Sequence, residues 1–186
     1  MNENLEFLNP NECLLLLIDI QKVLLDLCAD AGPIAGNTAA LIEVARIFNI
    51  PVMCSVQNPG KIGGFLPELA EKIQGPCFEK LEFNCFENKA IAEAVRSAGR
   101  ATLLLAGIEA HVCIFHTGVG ALRDGYRVHV AADAVASRSL FNKVIGLNRL
   151  ERAGAIISST EMIMFELLNR GGTEEFRAVL PMLKKF

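Results

Sequence analysis

Thr102 to Arg123 reads TLLLAGIEAHVCIFHTGVGALR, and this stretch decides the fold. The run Leu103, Leu104, Leu105, Ala106 is wholly apolar, which is the mark of a strand covered on both faces of a parallel sheet. It stops at Gly107, turns through Ile108, Glu109 and Ala110, and resumes with helical spacing led by Cys113. The pattern predicts a buried strand, a tight turn and a helix whose first turn carries a thiol. The first N–H groups of a helix lack internal partners and carry partial positive charge, so a thiolate or an oxyanion is expected to be stabilised there.

Outward from this centre the same alternation recurs. Residues 13–20 (CLLLLIDI) and 51–56 (PVMCSV) read as strands, with a helix over 34–48 between them. Residues 57–64 (QNPGKIGG) hold too many breakers for an element and read as a loop over the strand ends. A short segment, CFEKLEF, follows Gly75-Pro76, and residues 88–99 read as a helix. Beyond the centre, 127–132 (RVHVAA) is a strand closing at Asp133, 141–153 a helix, 155–158 a strand and 159–168 a helix. An amphipathic tail covers 174–183. Strand and helix alternate with short joins, which predicts one domain over 1–186 with a three-layer α/β/α fold around a doubly wound, mainly parallel, Rossmann-like sheet. Ligands of such sheets bind beyond the carboxyl ends of the strands.

Of the 186 residues, 52% are hydrophobic and 21% charged, so the chain can bury a core and is expected to hide apolar surface in a homo-oligomer, a dimer or higher. Net charge is −3 and no run of Lys or Arg offers a phosphate-tracking surface, so nucleic acid is not expected as a partner. The apolar run at 13–18 is too short to span a bilayer, and Glu3 and Glu6 spoil the positive flank of a signal peptide. The expectation is a cytoplasmic protein without a membrane partner. Its six cysteines show no CxxC and no zinc-like spacing, and read as free thiols of a reducing compartment.

Asp19, Lys80 and Cys113 all fall at or just after predicted strand ends. Singly, each has a plain reading: Asp19 as a turn or helix N-cap residue, Lys80 as a solvated charge with its stem on Phe78, Leu81 and Phe83, Cys113 as a small hydrophobe. Together at one crevice they form a thiol nucleophile, a general base and an ammonium, with turn N–H groups as oxyanion donors. Such a set acylates sulfur and hydrolyses the thioester.

The strings LLLLIDIQ around Asp19, FEKLEFNCF around Lys80 and LLLAGIEAHVCI ahead of Cys113, in that order, closely resemble the isochorismatase-like cysteine hydrolase superfamily over roughly 13–168. The resemblance implies a catalytic triad of Cys113 as nucleophile, Asp19 as proton acceptor and donor, and Lys80 as the polarising cation. It also implies a cis peptide at Ile108-Glu109, with the backbone N–H groups of Glu109 and Cys113 forming the oxyanion hole. Relatives that hydrolyse nicotinamide carry a metal site of Asp and His after the second strand. Here that region reads CSVQNPGKIGG, without either residue, so neither a catalytic metal nor any other cofactor is expected. Members that cleave the vinyl ether of isochorismate rely on the Asp and need no thiol, so Cys113 turns the expectation toward C–N bonds of a small amide-type substrate, with vinyl ether hydrolysis driven by Asp19 as the alternative.

Gln57, Phe83 and Phe86 are the expected pocket wall. His116 lies three residues after Cys113, which allows a Cys–His dyad as a lesser alternative; His111 is expected near the pocket and His129 as a satisfied core histidine. Gly118 and Gly120 lack the third glycine of a dinucleotide fingerprint and are read as close helix packing. Ser137, Arg138 and Ser139 form a polar turn without assigned chemistry. Outside the hydrolases, a thiol redox sensor and a non-catalytic scaffold remain as alternatives; a sensor needs a resolving Cys, and none lies near Cys113 in sequence.

Overall fold

The structure, a computed structural model, describes residues 6–184; Glu3 therefore lies outside the described residues. Six strands form one all-parallel sheet in the order β3-β2-β1-β4-β5-β6, from β1 (Cys13–Ile18), β2 (Val52–Gln57), β3 (Cys77–Lys80), β4 (Thr102–Ile108), β5 (Arg127–Ala136) and β6 (Ile156–Ser158). The helices are α1 (Lys22–Leu25), α2 (Ile34–Ile47), α3 (Pro59–Ile62), α4 (Pro67–Ala70), α5 (Lys89–Ser97), α6 (Phe115–Arg123), α7 (Leu140–Ala153), α8 (Thr160–Leu168) and α9 (Glu174–Leu183).

The apolar run of β1 is divided by the pleat between two cores. Leu15 and Leu17 point into the layer of α2, α4, α8 and α9, with Leu41, Leu69, Ile163 and Val179. Leu14, Leu16 and Ile18 point into the layer of α5, α6 and α7, with Ile91, Ala121 and Leu150. Each fully buried Leu is worth about 2 kcal/mol relative to exposure, so the central strands anchor both faces at once. Side-chain caps fix where helices start: Asn88 accepts from the Ile91 N–H and Ser159 from the Met162 N–H. The three-layer, doubly wound fold stands as the sequence predicts, and the tail helix α9 packs on the body through Val179.

Several boundaries differ from the reading above. β4 does not stop at Gly107 but runs to Ile108, with a register shift against β5 between Leu105 and Gly107. Gly107 has φ 130°, and a Cβ there would lie 2.0 Å from the Ile18 carbonyl oxygen, so only glycine lets the strand pass β1. β5 continues past Asp133 because Ala134, Val135 and Ala136 re-enter the buried ladder. The predicted loop 57–64 contains the short helix α3, with Pro59 in its first turn, where proline costs no hydrogen bond.

The winding reverses between β1 and β4, so a crevice opens beyond their carboxyl ends. Among the described residues no helix is long and apolar enough to cross a membrane.

Candidate active site

Asp19 is the first residue past β1. Its backbone is left-handed, φ 54°, a conformation that Asp tolerates better than most side chains, and its N–H donates to the Ser55 carbonyl. The carboxylate is thereby turned into the crevice and is fully buried. Ser55 Oγ donates to Asp19 Oδ1 at 2.8 Å and Lys80 Nζ to Asp19 Oδ2 at 2.6 Å. Lys80 ends β3, in register with Gln57, and reaches across β2 to its partner. Its ammonium also donates to Gln57 Oε1 at 2.7 Å and to the Glu82 carbonyl at 3.1 Å, and lies 3.7 Å from Cys113 Sγ. Asp19, Lys80 and Cys113 thus meet in one buried cluster, and neither charged side chain of the ion pair touches solvent.

A pair taken this far from water survives only where hydrogen bonds satisfy it on every side, and here Ser55, Gln57 and the Glu82 carbonyl do so. Burial opposes the charge on Lys80, yet the Asp19 carboxylate outweighs it and holds the ammonium above its ordinary range.

Cys113 differs from the sequence reading in one respect. It lies not in the first turn of an α-helix but in a π-helical turn, Ala110–Ile114, with α6 beginning at Phe115. Burial first, then the Asp19 carboxylate, push its thiol well above the ordinary range, against the pull of Lys80. A thiol raised in this way needs a neighbouring base before its sulfur can act as a nucleophile.

The Ile108-Glu109 peptide is cis. The Glu109 carboxylate accepts from the backbone N–H of Arg138 at 2.9 Å and from its Nε at 3.0 Å, tying the turn before Cys113 to the end of β5. Beside Cys113 opens a cavity of about 230 Å³ whose wall includes Gln57, Phe83, Ile108, Glu109 and Arg138. Of the three expected wall residues, Gln57 and Phe83 line it. Phe86 does not: its ring packs on Tyr126, with centroids 5.5 Å apart, because the short helical turn at Cys85–Glu87 aims it into the layer of α5 and α6.

The histidines take other places. His116 gives Nδ1 to the Val112 carbonyl at 2.7 Å and its ring to Phe83 and Phe115, so the Cys–His dyad is not formed. His111 is hydrogen-bonded to Ser137 Oγ. His129 is buried but not satisfied, since its Nδ1 has no partner. Gly118 and Gly120 lie close against the Leu150 and Asn84 side chains, which would have to shift to admit a Cβ, so both serve helix packing. Sequence reasoning missed Ser55 and the place of Arg138. An isolated hydroxyl in the strand PVMCSV was the available signal for the first; the second carried none. Among the described residues no group of three or more His, Cys, Asp or Glu is placed to hold a metal ion.

The family model described as "Isochorismatase domain" matches residues 13–162. The chain belongs to the isochorismatase family of hydrolases. It is 29% identical to the "Secreted isochorismatase effector Isc1" of Phytophthora sojae, over 95% of this chain and 86% of that one. Among solved structures it resembles the MAR1 ribonuclease from Caenorhabditis elegans at 29% identity and TM-score 0.90, covering 96% of this chain and 92% of the other. It resembles equally YcaC from Pseudomonas aeruginosa, solved with hexane-2,5-diol and covalent acrylamide, at 28% identity and TM-score 0.89, with the same coverage.

Proposed function

We propose that the protein hydrolyses the C–N bond of a small amide-type molecule, with Cys113 as nucleophile, Asp19 as general base and acid, and Lys80 as the fixed cation between them. The observation that carries this reading is the buried cluster itself: Lys80 Nζ stands 2.6 Å from Asp19 and 3.7 Å from Cys113 Sγ, and Cys113 lines a cavity. Asp19 takes the thiol proton as sulfur bonds to the carbonyl carbon, and the oxyanion is received by the backbone N–H groups of Glu109 and Cys113. The tetrahedral centre collapses, the C–N bond breaks, and Asp19 returns the proton to the departing nitrogen. A water, deprotonated by the same carboxylate, cleaves the thioester and restores the thiol. Lys80 keeps its charge throughout and lowers the cost of negative charge passing between oxygen and sulfur.

The covalent acrylamide in the Pseudomonas aeruginosa neighbour supports a reactive site in a relative of this chain. A net charge of −3 favours a small molecule over an RNA strand as the occupant. Exposed apolar side chains on α7, Phe141 and Val144 among them, support a homo-oligomer, and six free cysteines support a reducing, cytoplasmic setting. The single domain 1–186 remains part of this proposal.

The test is an amide and ureide panel with intact-mass detection. An acyl adduct on the native protein, lost together with turnover in Cys113→Ala, is the expected result. Turnover unchanged in Cys113→Ala refutes thiol catalysis, and a panel wholly inert with the native protein leaves hydrolysis of a vinyl ether driven by Asp19.

A further inference from the structure

The cavity beside Cys113 indicates more than reaction type. Its wall away from the sulfur is built from Leu24, Leu27, Ile62, Phe83 and Val112, all apolar. They come from α1 and the turn after it, α3, the segment behind β3, and the π-helical turn. Among the described lining residues only Glu109 and Arg138 are charged, and they are paired with each other at 3.0 Å. Both Glu109 oxygens face Arg138, so the guanidinium beside the cavity already has its counter-charge. Outside that lining, next to Cys113, the buried Asp19 and Lys80 cancel in the same way. At about 230 Å³ the cavity falls below the ~300–1,000 Å³ of sites for drug-sized ligands.

Resting on the hydrolase reading above, we infer that the substrate is a compact amide whose acyl group is uncharged and apolar. A carboxylate on the acyl group would meet an Arg138 whose charge Glu109 already offsets. An ammonium would have to leave water for a wall of hydrocarbon and displace Arg138 from Glu109. A short branched aliphatic or aromatic group meets neither cost and fills the space that Leu24, Ile62 and Phe83 enclose. The rival reading is an anionic acyl group held on the outer edge of the Arg138 guanidinium.

Three amides of similar size separate these: isovaleramide, succinamate and β-alaninamide. The expected result is a kcat/KM for isovaleramide at least a hundred-fold above the other two. A second measurement does not need turnover: the rates at which iodoacetamide and iodoacetate label Cys113, each divided by its rate with glutathione, read by peptide mass. Iodoacetamide is expected to lead by at least ten-fold. In Glu109→Gln, which removes the counter-charge of Arg138, the ratio of succinamate to isovaleramide turnover and that of iodoacetate to iodoacetamide labelling are each expected to rise at least ten-fold. If every amide is inert while the labelling preference holds, amide hydrolysis fails and selection of neutral groups stands. Succinamate or iodoacetate matching its neutral counterpart overturns the inference, as does a Cys113 that no reagent labels or labelling ratios unmoved in Glu109→Gln.

Discussion

Lys80 donates to Asp19, Gln57 and the Glu82 carbonyl from a position closed to water, so its removal does more than delete a charge. Lys80→Met leaves a fully buried carboxylate facing hydrocarbon, and the expected loss is about 3–5 kcal/mol of folding stability, measured by urea unfolding at pH 7. The double variant Asp19→Asn, Lys80→Met removes both charges, keeps a side chain that tolerates the left-handed backbone at position 19, and is expected to recover most of that loss while remaining inactive. A double variant no more stable than Lys80→Met would mean that the pair is not coupled as its geometry requires. Local sequence gives little sign of this coupling: Lys80 sits among apolar neighbours, as any snorkelling lysine does, and only its place at a strand end points inward. The state of the Cys113 proton was equally hidden, because it depends on burial and on a carboxylate 94 positions away in sequence.

The turn that carries Cys113 is clamped by α7. A Cβ on Gly146 would lie 2.7 Å from the His111 Cα and 2.9 Å from the Ala110 carbonyl oxygen, both backbone atoms that cannot rotate aside. Gly146→Ala is therefore expected to push the π-helical turn off its seat. The cost is about 1–3 kcal/mol of stability, read by urea unfolding, with a fall in kcat larger than any change in KM. At this level the sequence was legible where periodicity is strong. The unbroken runs of β1 and β4 and the spaced apolar faces of α5 and α7 reveal the elements and their order. It was opaque where a single residue breaks the pattern without ending the element. Asp133 reads as a stop, yet its carboxylate takes the Thr160 N–H and hydroxyl, which lets β5 run on beneath it. Gly107 likewise reads as a terminus and is instead the passage of β4 past β1.

Across the whole molecule, one buried side chain sets a limit on acid tolerance. Burial first, then the Arg127 charge, hold His129 down to about 4 from its ordinary 6.5. Below pH 6.5 the unfolded chain takes up a proton that the folded chain refuses, so stability present above 6.5 is lost as pH falls toward 4. At pH 5 this amounts to about 2 kcal/mol relative to neutral pH. In His129→Leu, urea unfolding at pH 7 and pH 5 is expected to differ by that much less; an equal pH dependence in both proteins would place the acid sensitivity elsewhere.

β3 is the edge of the sheet, four residues long, and of these only Lys80 is buried. β1 and β4, which deliver Asp19 and lead to Cys113, are buried along their whole length at the centre. The cation therefore hangs from the part of the molecule most free to fray, while its two companions rest on the part that opens last. Under rising urea, turnover should vanish at a concentration where far-ultraviolet circular dichroism still reports an intact fold, and brief exposure at that point should be fully reversible on dilution.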